Sequence, residues 1–289
     1  MLQISSDEVN SQLPTVCRDP SPFPLTNRRH AILFRHFIEK WGPLLDVTVK
    51  DEVFGKWVPE RAEHDTLLFY SILATASRHS SYQNSEGTLE SEELYSKSLS
   101  LLIAKLSNAD AMADENVIAS AVILRGYEEW GAMDAGSDAE SHLLGVNLYL
   151  NDQIWNRMKS TTVNITQGAF WVFLRQDLFT GVQYSHPLRL KPQYYQLDEA
   201  YNHETSNDHC VWANHMLCII ANIVNFCFDK SQANRDQWLY LDGHIERWRA
   251  NCPPQFTPYY YDSNQKEGNA YFPEICLLHI WHGKSFHQY

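Results

Sequence analysis

Residues that interrupt regular structure are scarce in this sequence. Glycine and proline number twelve each among 289 residues, too few for the many turns of a loop-rich β-sandwich. Alternating strand patterns joined by hairpin turns are nearly absent, and there is no internal repeat of about 20–50 residues. This scarcity argues against all-β and repeat architectures.

Positive charge is also scarce. The 23 Lys and Arg residues are outnumbered by 35 Asp and Glu residues, which gives a net charge of −12 at pH 7. A DNA duplex carries dense negative charge, so it repels a chain this acidic unless the cations of that chain cluster. Arg28 and Arg29 come nearest to a cluster, and an apolar helix follows them. We therefore expect no direct nucleic-acid binding by this chain.

The sequence lacks any C-x-x-C pair, the usual spacing of zinc-binding and redox cysteines. Three of its cysteines fall on one predicted helix, where residues eight positions apart are separated by about 12 Å, too far for a disulfide. We expect reduced, packed cysteines in a reducing compartment. The six are Cys17, Cys210, Cys218, Cys227, Cys252 and Cys276.

Targeting and membrane signals are not evident either. The first residues lack the basic start and apolar stretch of a signal peptide. No continuous apolar run reaches the roughly 18 residues that suggest a membrane span. We expect an intracellular, soluble protein with no membrane partner.

Signatures of the common enzyme classes are missing. The sequence has no G-x-S-x-G, G-x-x-x-x-G-K-[ST], G-x-G-x-x-G or H-E-x-x-H motif. An all-helical enzyme similar to terpene cyclases is the strongest enzymatic alternative, but it needs clustered carboxylates to hold magnesium and diphosphate. The nearest run, at 134–138, contains glycine and a helix cap and is typical of a loop. We expect no catalytic residues and no cofactor.

Two other groups of polar residues resemble sites only superficially. Glu128 and Glu129 are adjacent on a predicted helix, so their side chains point about 100° apart and do not converge as an acid–base pair. We interpret them as part of a solvated helix end. His279, His282 and His287 have no carboxylate or cysteine ligand set of known spacing beside them, so we expect no metal site.

The sequence does contain abundant core material in a helical pattern. Hydrophobic residues make up 44% of the chain and aromatic residues 13%, enough for a large core. Apolar residues recur at helical spacing, and Asp65 and Asp114 stand at cap positions. We expect the Trp-Gly-Pro sequence at 41–43 to stop the first helix and Gly131 to close the fourth. Helices are predicted at 28–40, 66–79, 90–106, 115–130, 138–150, 165–184, 208–228 and 232–250, and from 273 to the end.

These helices predict an all-α fold. Residues 27–289 are expected to form a single large multi-helix domain, and the polar, proline-containing residues 1–26 a linker before it. The helix at 66–79 is apolar almost all round and should be central. The last helix has no stop signal, so we expect a domain truncated at its C-terminus. The apolar residues left exposed should make the isolated chain oligomeric or poorly soluble.

Three stretches in order resemble the fungal-specific transcription-factor regulatory domain, which lies C-terminal to zinc binuclear clusters. The first begins with RHAILFRHF at 29–37 and WGPLLD at 41–46 and continues to ATASRH at 74–79. The second is AVILRGYEE at 121–129, followed by HLLG at 142–145, and the third is GAFWVFLRQD at 168–177. The resemblance extends over roughly residues 27–289.

The resemblance implies an all-helical nuclear domain that regulates transcription and has no catalytic residues. It also implies a partner, either a second copy or another transcription factor, and in some members a small-molecule effector. The closely spaced cysteines of the family's zinc cluster are absent here, so a regulator of this kind has to act through protein contacts. The alternative from another class is a stand-alone helical small-molecule sensor or scaffold with no role in transcription.

If the domain senses a ligand, the helix at 165–184 is the candidate wall of the pocket. A helical domain rich in aromatics can enclose an apolar cavity, and an apolar small molecule is the effector that fits one. Arg175 and Asp177 are two positions apart, so they do not pair with each other and must find other partners. The candidate pocket residues are Phe170, Trp171, Arg175, Asp177 and Phe179.

Two interpretations of Arg175 stay open at the level of sequence. Trp171 and Phe179 lie four positions before and after it, where an aromatic face can contact the guanidinium group for about 0.5–2 kcal/mol. Arg175 is then either the polar anchor of a ligand, or a paired core arginine or subunit contact.

Overall fold

The computed structural model describes residues 22–84, 88–107, 114–135, 164–197, 208–229, 234–262 and 274–277. Within these ranges the fold is all-α, as predicted, apart from the short strands β1 (Tyr260–Asp262) and β2 (Glu274–Cys276). Single 3-10 turns occur at Asp46–Thr48, Lys50–Glu52, Pro192–Tyr194 and Pro254–Phe256, and π-helical turns at Phe37–Trp41 and Val53–Trp57. The helices are α1 (Arg28–His36), α2 (Gly42–Leu45), α3 (Val58–Ala62), α4 (Thr66–Asn84), α5 (Leu89–Leu106), α6 (Glu115–Ala135), α7 (Ile165–Tyr184), α8 (His209–Phe228) and α9 (Arg235–Asn251).

Aspartate and asparagine side chains cap most of the long helices. Asp65 Oδ1 accepts a hydrogen bond from the amide of Leu68 at 2.9 Å, and Asp114 Oδ1 accepts one from the amide of Asn116 at 2.8 Å, so both predicted caps are confirmed. A cap satisfies an amide that has no partner in the first turn and is worth about 0.5–2 kcal/mol. The residues that cap α1, α7, α8 and α9 in the same way are Asn27, Asn164, Asp208 and Asn234.

Helix α4 is the centre of the first half of the fold, as its apolar sequence predicts. It packs against α1, α3, α5 and α6. Burying a large apolar side chain contributes about 1.5–3 kcal/mol relative to leaving it in water, so this helix is a main source of stability. Its buried apolar residues are Leu67, Leu68, Phe69, Ile72, Leu73, Ala74 and Ala76.

Helix α6 joins this half to the second. It packs against α4 and also against α7, while α7 packs on α8 and α8 packs on α9. Gly126 lies directly under the ring of Trp41, because a Cβ at this position would come within 2.8 Å of Cζ2 of that indole. One apolar core therefore extends through both halves of the described fold.

The chain between α1 and α3, called the 37–57 segment below, departs from the sequence prediction. The Trp-Gly-Pro sequence at 41–43 does not stop the first helix, because a π-helical turn leads from α1 directly into α2. Pro43 lies in the first turn of α2, where its missing amide hydrogen is tolerated. Gly42 is needed for a close approach, since a Cβ there would lie 2.9 Å from Cα of Gly55.

Two further predicted boundaries are wrong. Helix α6 continues through Gly131 to Ala135, since a lone glycine costs about 1 kcal/mol relative to alanine but does not by itself end a helix. Residues 274–276 form β2 instead of the beginning of the last helix, and β2 pairs antiparallel with the aromatic strand β1. The predicted helix at 138–150, and the rest of the last helix with its three histidines, lie outside the described residues.

Helix α8 carries three of the cysteines, as predicted, and their thiols are free. By length and composition alone this helix could cross a membrane, although core helices of soluble proteins pass the same test. Half of its apolar stretch, 50%, is buried inside the fold.

The last residues assigned to the N-terminal linker contact the core. The ring of Phe23 lies 5.3 Å from that of Phe34 and 5.8 Å from that of Phe69, and Leu25 packs against the same cluster. The domain boundary at residue 27 stays a prediction.

Candidate functional site

Helix α7, the candidate pocket wall, is a core helix, and two of its three aromatic candidates are only half-buried. Asn164 caps it by accepting a hydrogen bond from the amide of Gln167 at 2.8 Å. Phe170 is buried, whereas Trp171 and Phe179 are half-buried. The rings of Phe170 and Trp171 meet edge to face at 5.0 Å. The core contacts of this helix therefore hold it in place without a ligand.

Arg175 points from α7 to the 37–57 segment. Its guanidinium group donates hydrogen bonds to Oγ1 of Thr48 and to the carbonyl oxygen of Leu45. Both acceptors belong to turns at the end of α2, so one planar side chain holds two consecutive turns. These contacts favour the structural alternative for Arg175 over the ligand anchor.

Three further side chains hold the same stretch of chain. Asp46 accepts hydrogen bonds from the amides of Phe54 at 2.9 Å and Gly55 at 2.7 Å. The side-chain amide of Asn214 on α8 donates to the carbonyl oxygen of Thr48 at 3.0 Å. Lys50 pairs with Asp208, the cap of α8. Arg175, Asp46, Asn214 and Lys50, called the clamp below, tie the 37–57 segment to α7, to α8 and to itself.

Burial dominates the electrostatics of the clamp. It raises the pKa of Asp46 to about 6, and the two amide hydrogen bonds and the Arg175 charge only partly oppose this shift. A carboxylate in this position is stabilised by those donors and destabilised by its loss of water. Losing the Arg175 charge would therefore raise the pKa of Asp46 further.

The backbone next to the clamp adopts an uncommon conformation. Asp51 and Glu52 are consecutive non-glycine residues with φ of 63° and 51°, in the left-handed region. Such residues cost of order 1–3 kcal/mol each and persist only where surrounding contacts hold them. Lys50 and Asp46 supply such contacts on either side.

Asp177 faces another part of the fold. Its side chain is buried, and its Oδ2 accepts hydrogen bonds from the amides of Arg189 at 3.0 Å and Leu190 at 2.9 Å. Burial raises the pKa of this carboxyl group, and the two amides oppose the shift. Within the described residues its Oδ1 has no hydrogen-bond partner.

The structure therefore does not bring the two charged candidates together. Arg175 holds the chain near residue 48, and Asp177 holds the chain near residue 190. A pocket formed by all five predicted residues stays a prediction.

A buried charge cluster on α6 was not foreseen. The side chain of Arg125 is 2% exposed and lies 3.6 Å from Glu128 and 3.3 Å from Glu129. The hydroxyl of Tyr95 donates to Glu128 at 2.7 Å, and the ring of Tyr95 stacks on that of Tyr127 at 4.4 Å. Burial raises the pKa of Glu129 to about 7, although the Arg125 charge opposes the shift.

The interpretation of Glu128 and Glu129 as a solvated helix end is therefore wrong. Both carboxylates are largely buried and follow Arg125 by three and four positions, the spacing of paired residues on one helix face. That spacing, directly after the apolar run at 121–124, was the feature of the sequence that could have predicted the buried cluster.

A pair of contacting histidines, buried His79 and half-buried His36, was also missed. Nε2 of His36 and Nδ1 of His79 lie 2.8 Å apart, and Gln83 contacts the other ring nitrogen of His79 at 3.3 Å. Burial, together with the neighbouring His36 and the charge of Lys40, lowers the pKa of His79 to about 4. The two histidines are 43 positions apart, and no local pattern links them.

Taken together, the described residues form a helical domain whose buried charges contact partners within the same chain. The family model described as a fungal specific transcription factor domain matches residues 32–250. This range covers more than half of the chain, so the protein belongs to that family, as the resemblance in three stretches predicted. Its role is therefore in transcription regulation, and the family is in general non-enzymatic. No curated protein and no solved structure gave a significant match.

Proposed function

We propose that this chain is a nuclear regulator of transcription that acts through protein contacts and does not itself bind DNA. The family match over residues 32–250 carries the proposal. That range contains α4, α6, α7 and α8, the helices that supply most of the core.

Exposed aromatic side chains support a role in protein contacts. On α9, Trp238 is 52% exposed and Tyr240 is 39% exposed. Around β1, Tyr259 and Tyr261 are 68% and 60% exposed. Tyrosine and tryptophan are enriched in protein interfaces, because their rings offer a large apolar area together with a polar atom.

The charge of the chain supports action without DNA contact. A net charge of −12 opposes approach to a phosphate backbone. Arg28 and Arg29 open α1, and Arg29 forms a bidentate ion pair with Glu90 on α5. The guanidinium group of Arg29 is therefore already paired with a carboxylate within the fold.

Small-molecule sensing at α7 is a second candidate. It is favoured by Oδ1 of Asp177 and Oδ1 of Asn214, two buried oxygens with no hydrogen-bond partner among the described residues. Leaving a buried polar atom unpaired costs about 1–3 kcal/mol, so a donor group that reached either oxygen would bind favourably. A shift in melting temperature on screening neutral, hydrogen-bond-donating compounds would test this candidate.

The main proposal is tested by fusing the chain to an unrelated DNA-binding domain and measuring a reporter in a fungal host. We expect reporter expression to differ several-fold from that with the DNA-binding domain alone, and a fluorescent fusion to collect in the nucleus. A reporter unchanged by the chain would favour the alternative of a sensor or scaffold outside transcription.

Surface variants make the test specific. Replacing Trp238 and Tyr240 with serine should abolish the effect on the reporter if α9 contacts the transcription machinery. Replacing Leu89 and Ile103 on α5, which are 69% and 58% exposed, with serine is the matched control and should leave the effect intact.

A further inference from the structure

The end of α6 buries more negative than positive charge. The side chain of Arg125 is 2% exposed, that of Glu128 is 15% exposed and that of Glu129 is 9% exposed. Arg125 is also the one buried lysine or arginine among the described residues. Two carboxylates therefore share a single buried cation, and an ionised carboxylate is costly to bury without full pairing. This charge count favours the uptake of one proton by one of the two carboxylates.

The contacts of the two carboxylates differ, and they indicate which one takes the proton. Glu128 accepts a hydrogen bond from the hydroxyl of Tyr95 at 2.7 Å, and such a bond stabilises the ionised form of a carboxylate. Glu129 lies 3.3 Å from Arg125, but its Oε1 has no hydrogen-bond partner among the described residues. We therefore expect the proton on Glu129, with Glu128 ionised. The residues called the Arg125 cluster below are Tyr95, Arg125, Glu128 and Glu129.

The helices packed against α6 do not balance the extra charge. On α5, Tyr95 contributes an uncharged hydroxyl, and Glu92 adds an exposed negative charge near Tyr127. On α4, the guanidinium group of half-buried Arg78 lies 5.7 Å from the centre of the Tyr127 ring. The polar contact described from α7 is uncharged, because Gln176 donates to a carbonyl oxygen of α6 at 3.3 Å. Helix α3 contacts the other end of α6. The two outer charges are of opposite sign, so the buried excess remains.

The contacts on the Gly126 side of α6 bring no charge either. The indole ring of Trp41 lies directly against Gly126, three positions before Glu129. Beyond it, the ring centre of His79 on α4 lies 5.3 Å from that of Trp41. Burial lowers the pKa of His79 to about 4, so this imidazole is neutral above about pH 5.

We propose that the Arg125 cluster is a proton-operated switch, in which loss of the proton from Glu129 near neutral pH weakens the contact between α5 and α6. With the proton in place, the charges of Arg125 and Glu128 balance, and Tyr95 of α5 bonds to Glu128 of α6. Without it, a second carboxylate competes for Arg125 and repels Glu128. The switch goes beyond the proposed function and does not depend on it.

The pKa of Glu129 supports a switch in this pH range. Burial raises this pKa from 4.5 to about 7, while the Arg125 charge opposes the shift and the Glu128 charge adds to it. Between these two values the folded chain holds a proton that the unfolded chain has released, so a rising pH favours unfolding. The stabilisation is complete below about pH 4.5 and is lost as the pH rises to about 7.

Urea-induced unfolding of the full chain at pH 5, 6, 7 and 8 tests the switch. Glu129→Gln keeps the shape of a protonated glutamate and cannot ionise. We expect the unfolding equilibrium constant of the wild type, divided by that of Glu129→Gln, to rise at least tenfold from pH 5 to pH 8, because one pKa unit is a factor of ten. The effects of other titrating groups cancel in this ratio. Glu93→Gln, at an exposed position on α5, is the matched control, and its ratio should stay within about twofold.

NMR of the folded chain with 13C-labelled glutamate side chains observes the proton directly. One carboxyl resonance should titrate near pH 7, and it should be absent from Glu129→Gln. Glu128→Gln removes the like charge beside Glu129, so the midpoint of this resonance should fall by at least about one pH unit. Glu93→Gln should leave the midpoint unchanged. Because Glu128→Gln retains Glu129, this criterion applies even if Glu129→Gln does not fold.

Three results would each overturn the proposal. The first is a folded wild type in which no glutamate carboxyl titrates between pH 6 and pH 8. The second is an unfolding ratio to Glu129→Gln that does not change with pH. The third is a midpoint of Glu129 that Glu128→Gln leaves unchanged, since the two carboxylates would then not share Arg125.

Discussion

Replacing Arg175 with methionine removes the guanidinium group and keeps most of the apolar stem. The carbonyl oxygen of Leu45 and the hydroxyl of Thr48 each lose a hydrogen bond from a charged donor. Such bonds contribute about 1.5–3 kcal/mol each. Because Arg175 is only half-buried, water can replace part of the lost hydrogen bonding. The combined loss from the two bonds therefore lies near the lower end of its range. We expect Arg175→Met to lower the free energy of unfolding by about 2–4 kcal/mol.

The measurement is urea-induced unfolding followed by circular dichroism at pH 7. Arg175→Lys keeps the charge but cannot present a planar fork to two acceptors, so we expect about half of the loss. Arg35→Met is the matched control: Arg35 is 78% exposed and pairs with Glu39 on the helix surface, so its replacement should leave the free energy of unfolding unchanged within experimental error.

An Arg175→Met variant as stable as Arg35→Met would refute this reasoning. The contacts of Arg175 in the clamp would then make no contribution to stability, and the alternative that Arg175 anchors a ligand would be favoured.

Three other predictions follow from the described residues. Gly243→Ala should raise the free energy of unfolding by about 0.5–1 kcal/mol in dilute protein, and a loss would mean that the position is not open. Burial lowers the pKa of His79 from 6.5 to about 4, so the unfolded chain takes up a proton first as the pH falls. The wild type should therefore lose stability relative to His79→Gln between pH 6.5 and about 4, by up to about 1.4 kcal/mol per pH unit, and parallel pH profiles would contradict this. The purified chain should neither shift a specific DNA duplex at moderate salt nor contain stoichiometric zinc, and a discrete shifted band would show that the charge argument fails.

The long helices could be predicted from sequence because their signals are local. Helix α7 has the predicted bounds, and Asp65 and Asp114 cap the helices they were assigned to. Periodicity and cap chemistry depend on residues a few positions apart, which a sequence displays directly. The path of the 37–57 segment depends instead on Gly42 meeting Gly55, a contact between turns that no helical period encodes.

For the candidate site, the sequence predicted the helix that carries it but not the contacts of its residues. The partners of Arg175 lie 127 and 130 positions away, so the sequence predicted that the side chain needs a partner without indicating which one. The buried cluster at Arg125 had a local signal in its three- and four-residue spacings, but a sequence does not show whether a helix end is covered. Here α4 and α5 pack against α6, and the hydroxyl of Tyr95 on α5 donates a hydrogen bond to Glu128.

The clamp has a consequence for the order in which the chain can fold during synthesis. Thr48 is held by Asn214, 166 positions later, and Lys50 by Asp208. Asp51 and Glu52 are thus synthesised early, but the contacts from α8 that hold this part of the chain become available only when α8 has emerged. Contacts of such long range are slow to form, and incomplete chains expose apolar surface in the meantime. Nascent chains that end before α8 should therefore depend on chaperones more than the finished domain does.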